Sequence, residues 1–261
     1  MYSFLHGLLG DRKGGEIFRC FGAWHFGYIL LTAASAAVLI AVLARKSRET
    51  RSLVTGRVID AAFGLYVLDF FLMPLAYGEI DIEKLPFHAC TAMCVMCFIS
   101  RRIPALSRWR THFALLGFIS NFVYLIYPAG VMWHAVHPLC YRVVQTLAFH
   151  GIMTVYGLLV LTFDPDRPLP RTLHRDLAVL CGMTAWALLG NYAYNGLPDG
   201  NGRIFNWFFV TADPFGFMEP GTARFVMPFL NVAVFFAVEA AVCAVIFLAN
   251  AFRGRNTLPS V

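Results

Sequence analysis

Of the 261 residues, 59% are apolar and only 14% are charged, where a soluble domain has about 45–50% and about 25%. Length alone would allow one or two soluble domains, but the apolar residues fall in blocks of roughly 20, enough to cross a hydrocarbon core of about 30 Å at 1.5 Å per residue. The net charge of +6 and pI of 9.0 do not point to nucleic acid, because the basic residues sit in short loops between the apolar blocks.

The expected fold is all-α, a polytopic membrane bundle of seven helices over 24–44, 57–77, 85–101, 109–127, 140–163, 176–195 and 224–250. Residues 1–23 form an outer segment without the features of a cleavable leader, and 251–261 form a tail. The third span opens at Leu85-Pro86, where proline suits the first turn of a helix, and stops at Arg101-Arg102. At roughly 16 residues it is barely long enough to cross. The fourth stops at Tyr127-Pro128. The connection 196–223 combines turn residues (Pro198-Asp199-Gly200-Asn201-Gly202, Asp213-Pro214-Phe215-Gly216) with Phe205, Trp207, Phe208, Phe209 and Phe217. It reads as a structured outer loop, either an aromatic belt at the interface or a re-entrant segment. Fourteen of the 21 basic residues fall on one side if the N-terminus is outside and the C-terminus inside, the asymmetry that the positive-inside rule requires. No internal repeat is visible, so an inverted-repeat transporter is not supported.

Polar side chains within apolar spans are costly and call for a reason. Here they are Asp60, Asp69, His88, Thr91, Asn121, Gln145, His150, Asn191, Asn231 and Glu239. Helical rise places Asp60 at the inner rim and Glu239 near the midplane. It gathers Asp69, His88, Gln145, Asn191 and Asn231 in the outer half, with His150 as the floor. Asparagine and glutamine also serve as interhelical hydrogen-bond glue. Two histidines and a carboxylate at similar depth suit proton transfer near neutral pH. No cofactor or metal is expected: haem would need histidines at matched depth, and zinc lacks a clear third ligand. Cys90, Cys94 and Cys97 form one helical stripe. They read either as compact packing residues or, for Cys90, as a thiol nucleophile with His150 as its base. A bridge between Cys20 and Cys140 on the outer side is open.

Three segments carry a resemblance: Leu85-Pro86-Phe87-His88-Ala89-Cys90, Phe149-His150-Gly151 and Gly190-Asn191-Tyr192. In that order and spacing the chain resembles, over about residues 24–250, the YwaF-type bacterial integral membrane proteins related to the animal transmembrane protein 164 family. The resemblance implies a multi-pass protein of the bacterial inner membrane and an acyltransferase acting on phospholipid and lysophospholipid. In that family a cysteine precedes the histidine of the first motif, where this chain has Phe87. Cys90, one turn on, either replaces it or is dispensable.

The expected function is therefore acyl transfer or hydrolysis on a lipid ester at an intramembrane site open to the outer leaflet. His150 is the general base, His88 the second acid/base, Asp69 the carboxylate that orients a histidine and Cys90 a possible nucleophile. Asn191, Tyr192, Gln145 and Asn231 contact substrate. The bilayer and its phospholipid or lysophospholipid are the partners. The rival from another class is a transporter or lipid-binding protein using the same cluster, and the plainest alternative is a structural membrane protein.

Overall fold

The computed structural model describes residues 9–10, 16–78, 82–132, 135–164, 166, 170–195 and 205–255, and the described elements are helical. The apolar helices are α1 (Ala23–Ala44), α2 (Arg48–Tyr77), α3 (Ala89–Ser100), α4 (Arg110–Ile126), α5 (Tyr141–Phe163), α6 (Leu173–Asn195) and α7 (Pro220–Arg255). Six of them are long and apolar enough to cross a membrane; α3, of 12 residues, is shorter.

Two of the boundaries that differ from expectation do so for a clear local reason. Helix α2 begins nine residues early because Ser47 caps it, its Oγ accepting the Thr50 N–H at 3.3 Å, and Glu49 sits in the first turn where the helix dipole favours an anion. It ends at Gly78, whose φ of 78° closes the last turn with an N–H bond to the Pro74 carbonyl. The third span was expected over 85–101, but residues 85–88 are not helical. Phe87 N–H bonds back to the Leu85 carbonyl, and His88 is an extended N-cap before Ala89. Twelve residues rise about 18 Å, too little to cross a bilayer core alone.

The helices alternate in direction. At one end, hereafter the arginine end, Arg51 donates to the Leu43 and Ala44 carbonyls, Arg101 to the Ser52 carbonyl, Arg102 pairs with Asp60 at 2.7 Å, and Arg110 Nε reaches Asp164 at 3.1 Å. At the opposite, loop end, Lys84 meets Asp69 at 3.1 Å. Helix α3 thus descends antiparallel to α2. Helix α5 is the axis of the bundle, packed against α1, α2 and α4, while α7 lies against α6. Cys20 and Cys140 are not joined by a disulfide; the Cys20 thiol points at the Ile126 carbonyl.

Close helix approach at α5 depends on two glycines. A Cβ on Gly151 would lie 2.7 Å from Thr32 Oγ1 of α1, and one on Gly157 would lie 2.5 Å from Phe118 Cβ of α4. The Gly157 contact is against a rigid position next to the backbone, so Gly157→Ala is expected to destabilise the fold by about 1–3 kcal/mol through overpacking. Gly182 has nothing within 4 Å, so Gly182→Ala is the matched control and should cost nothing. Unfolding of both variants in detergent, side by side, checks this.

Candidate functional site

Two stretches of backbone outside the α-helices come together at the loop end, residues 82–88 and residues 205–210, each opening or carrying a single 3-10 turn (Ile82–Lys84 and Trp207–Phe209). Tyr66 lies 11 residues before the end of α2, about 16 Å along its axis, and its hydroxyl donates to the Lys84 carbonyl at 2.9 Å. The first stretch therefore reaches below the loop end of α2, with Ile82 and Glu83 exposed and residues 84–88 half-buried. Its other carbonyls are met by side chains from around it. Trp207 Nε1 donates to Glu83 O at 3.3 Å, Trp186 Nε1 to Pro86 O at 2.7 Å, and Thr91 Oγ1 to His88 O at 3.1 Å.

Residues 205–210 fold back against α6 as a strap. Asn195 and Asn191 are one turn apart, and each pairs with a strap residue in both directions. Phe205 N–H bonds Asn195 Oδ1 at 2.6 Å, and Asn195 Nδ2 donates to Phe205 O at 2.8 Å; Trp207 N–H bonds Asn191 Oδ1 at 2.8 Å, and Asn191 Nδ2 donates to Trp207 O at 3.1 Å. Phe208 and Phe209 then take left-handed backbone, with φ of 57° and 53°, each costing about 1–2 kcal/mol for an L-residue. That turn aims Phe208 N–H at His88 Nδ1, 3.2 Å away, and its carbonyl at Asn231 Nδ2 of α7. Trp207 and Phe208 are buried, whereas Phe215 and Phe217 beyond the strap are exposed. The loop thus divides: its first part is built into the bundle and its second has the character of an aromatic belt. In that second part the Phe215 N–H, then those of Phe217 and Met218, hold the Asp213 carboxyl below the usual carboxylate range. Residues 196–204 lie outside the described residues.

His150 sits in α5 facing this assembly. Its Nδ1 bonds the Thr146 carbonyl at 2.7 Å, which requires the proton on Nδ1 and leaves Nε2 with a lone pair. Nε2 is buried and has no hydrogen-bond partner. The ring stacks on Tyr124, centroids 3.9 Å apart at 14°, and meets Phe149 edge-on. His88 has the opposite tautomer. Its Nδ1 accepts from Phe208, so Nε2 carries the proton. Lys84 and His88 are both near enough to act electrostatically on His150, and Cys90 lies within similar reach of Lys84 and Tyr124.

Asp69 does not orient a histidine. It is buried, pairs with Lys84 and accepts a hydrogen bond from Tyr141 at 2.8 Å. Lys84 also donates to Gln145 Oε1 at 3.3 Å. Lys84 is a site residue that the sequence hides, because a lysine in a short loop reads as a solvated cation; its place directly before Leu85-Pro86 is the available signal. Asn191 and Asn231 spend their amides on the strap, and Tyr192 is exposed on the outside of α6. The structure thus joins Asp69, Lys84, Gln145, His88, Cys90 and His150 in one region and leaves Tyr192 outside it. Phe87 stacks on Trp186 and fills the notch of Gly190, where a Cβ would fall 2.4 Å from its ring. The Gly-Asn-Tyr segment is thereby tied to the segment preceding His88. Cys94 and Cys97, spaced C-x-x-C, are both buried in the main core. Among the described residues no group of three or more His, Cys, Asp or Glu side chains is placed to hold a metal. A shallow groove on α7, between Ala237 and Ile246, is lined by aliphatic side chains alone and lies apart from this chemistry.

The family model described as the TMEM164 family matches residues 20–250. No curated protein matches. No solved structure matches either.

The Asp69–Lys84 pair makes a stability prediction. Removing one partner strands the other charge, a loss of about 3–5 kcal/mol for a buried pair. Asp69→Asn is expected at the low end, because Lys84 keeps 24% exposure. Adding Lys84→Met should recover most of it, and a double-mutant cycle by denaturant unfolding reads the difference.

Proposed function

The chain belongs to the TMEM164 family, and on that premise we propose that it is a membrane-embedded lipid acyltransferase, or lipid-ester hydrolase, with His150 as general base. One observation carries the reading: a buried imidazole whose Nδ1 is fixed on the Thr146 carbonyl while Nε2 is left without a partner. The complementary tautomer of His88 supplies the second half. Nε2 of His150 takes the proton of the acceptor hydroxyl, from a lysophospholipid or water, as its oxygen attacks the ester carbonyl of a phospholipid. The N–H at Nε2 of His88 donates to the oxyanion and then protonates the departing alkoxide. Lys84, tethered by Asp69 and Gln145, holds positive charge beside the reacting centre. Asn191 and Asn231 act through the strap, and Tyr192 contacts the lipid around the site.

The positive-inside rule assigns the arginine end to the cytoplasm and the loop end to the outer side. With α3 counted as a traverse the chain passes seven times, N-terminus outside and C-terminus inside, in a bacterial inner membrane. His150 is only 6% exposed, so lipid reaches it when the strap or the 82–88 segment shifts.

A second reading, transport or solute binding without chemistry, draws on the same two breaks between the α-helices, a feature of transporter sites. Lipid mass spectrometry separates the readings. Purified protein is incubated with phospholipid and labelled lysophospholipid beside His150→Ala. Acyl transfer predicts label in diacyl lipid, reduced about 100-fold or more in the variant. Free fatty acid in place of labelled diacyl lipid identifies the hydrolase. Full activity of a folded His150→Ala protein contradicts the role given to His150, and absence of any product with pH-dependent uptake into proteoliposomes supports the transporter. Cys90→Ala decides the route: retained turnover means direct transfer, and loss of turnover together with loss of a trapped acyl-thioester means a covalent one.

A further inference from the structure

A second polar cluster lies one turn in from the arginine end, at the opposite ends of helices α4, α6 and α7 from the first. His112 of α4 and Asp176 of α6 are both buried and meet at 2.6 Å, Nδ1 to Oδ1. The other Asp176 oxygen, Oδ2, has no partner. From α7, Glu239 is fully buried and neither of its carboxyl oxygens has a hydrogen-bond partner. Asp176 is the charged group that acts on it, and both carboxyls act on Cys243, one turn further along α7. Among the described residues no lysine or arginine forms an ion pair with either carboxylate; at this end Arg51, Arg101, Arg102 and Arg110 are engaged with Asp60, Asp164 and backbone carbonyls.

The charge balance is decisive. His112 as imidazolium can neutralise one carboxylate. A second, bare carboxylate in a dry interior would be strongly disfavoured. One additional proton removes that penalty. We propose that Glu239 and Asp176 form a proton-binding site, with one proton resident on Glu239 and a His112–Asp176 ion pair beside it. Its ligand is the proton itself, not a metal ion, since no three His, Cys, Asp or Glu side chains among the described residues converge closely enough to coordinate one. The site joins α4, α6 and α7 across their shared interface, so loss of the proton sets like charges against each other there and weakens the packing of α7 on α6.

Infrared difference spectroscopy on the full chain in lipid nanodiscs tests this. The expected result is a protonated carboxylic C=O band at neutral pH that shifts in D2O, is absent from Glu239→Gln and is unaffected by sodium. Should Glu239→Gln fail to fold, the same band is sought in the wild type by a pH jump to the alkaline side, where it should disappear as the fold loses stability. Glu239→Gln, which keeps the shape and removes the charge, is expected to fold and to lose that alkaline sensitivity. No protonated band at any pH at which the protein is folded would overturn the proposal, as would a band retained in Glu239→Gln. A band that disappears on adding sodium at constant pH would overturn it in favour of a metal cation.

Discussion

Backbone N–H and C=O groups that leave a helix inside an apolar medium have no water to turn to, and each one left bare costs several kcal/mol. Everything distinctive at the loop end follows from that constraint. Segments 82–88 and 205–210 both leave the α-helices of the bundle, and many of their backbone groups are met by side chains. Tyr66, Trp186, Trp207 and Thr91 serve the first; Asn191, Asn195, His88 and Asn231 serve the second. The tryptophans work twice, since their indole N–H groups satisfy carbonyls while their rings pack against Phe87.

Many of the intramembrane polar residues are thereby explained as partners for backbone, and His150 Nε2 is one of the buried polar atoms left without a partner. His150 Nε2 has a lone pair, is enclosed, and faces no donor. Around it the fold places a protonated ring nitrogen on His88 and a cation on Lys84 that Asp69 keeps in position. Rigidity is supplied by the Tyr124 stack and the Thr146 carbonyl, so the imidazole cannot rotate to satisfy itself elsewhere. The arginine end repeats the theme with carboxyls in place of imidazoles: His112 satisfies part of Asp176, and Glu239 is left over.

The long helices were legible in the sequence because apolar blocks bounded by arginines, prolines and glycines have a length that only a bilayer explains. Helix α2 was misjudged at its start because Ser47 and Glu49 extend it through a polar stretch that hydropathy reads as loop. The third span was misjudged because Pro86 looks the same whether it opens a helix or precedes one. Gathering Asp69, His88, Gln145, Asn191 and Asn231 in one half of the bundle was possible from helical rise alone. Their partners were not, since the pairing of Asn191 and Asn195 with residues 205 and 207 spans a turn-rich loop with no periodicity. Lys84, His112 and Asp176 escaped notice for one shared reason. Each lies near the end of an apolar block, where a charge reads as solvated until tertiary packing buries it.

The account stands on the strap being held in the bundle by side chains, and amide hydrogen exchange over residues 205–210 measures that directly. It predicts that the Phe205, Trp207 and Phe208 amides exchange as slowly as those of α5 and speed up by orders of magnitude in Asn191→Ala. Exchange in the wild type as fast as at the exposed Phe217 would contradict it. The strap would then be a surface loop, and the polar residues assigned to it would need another explanation.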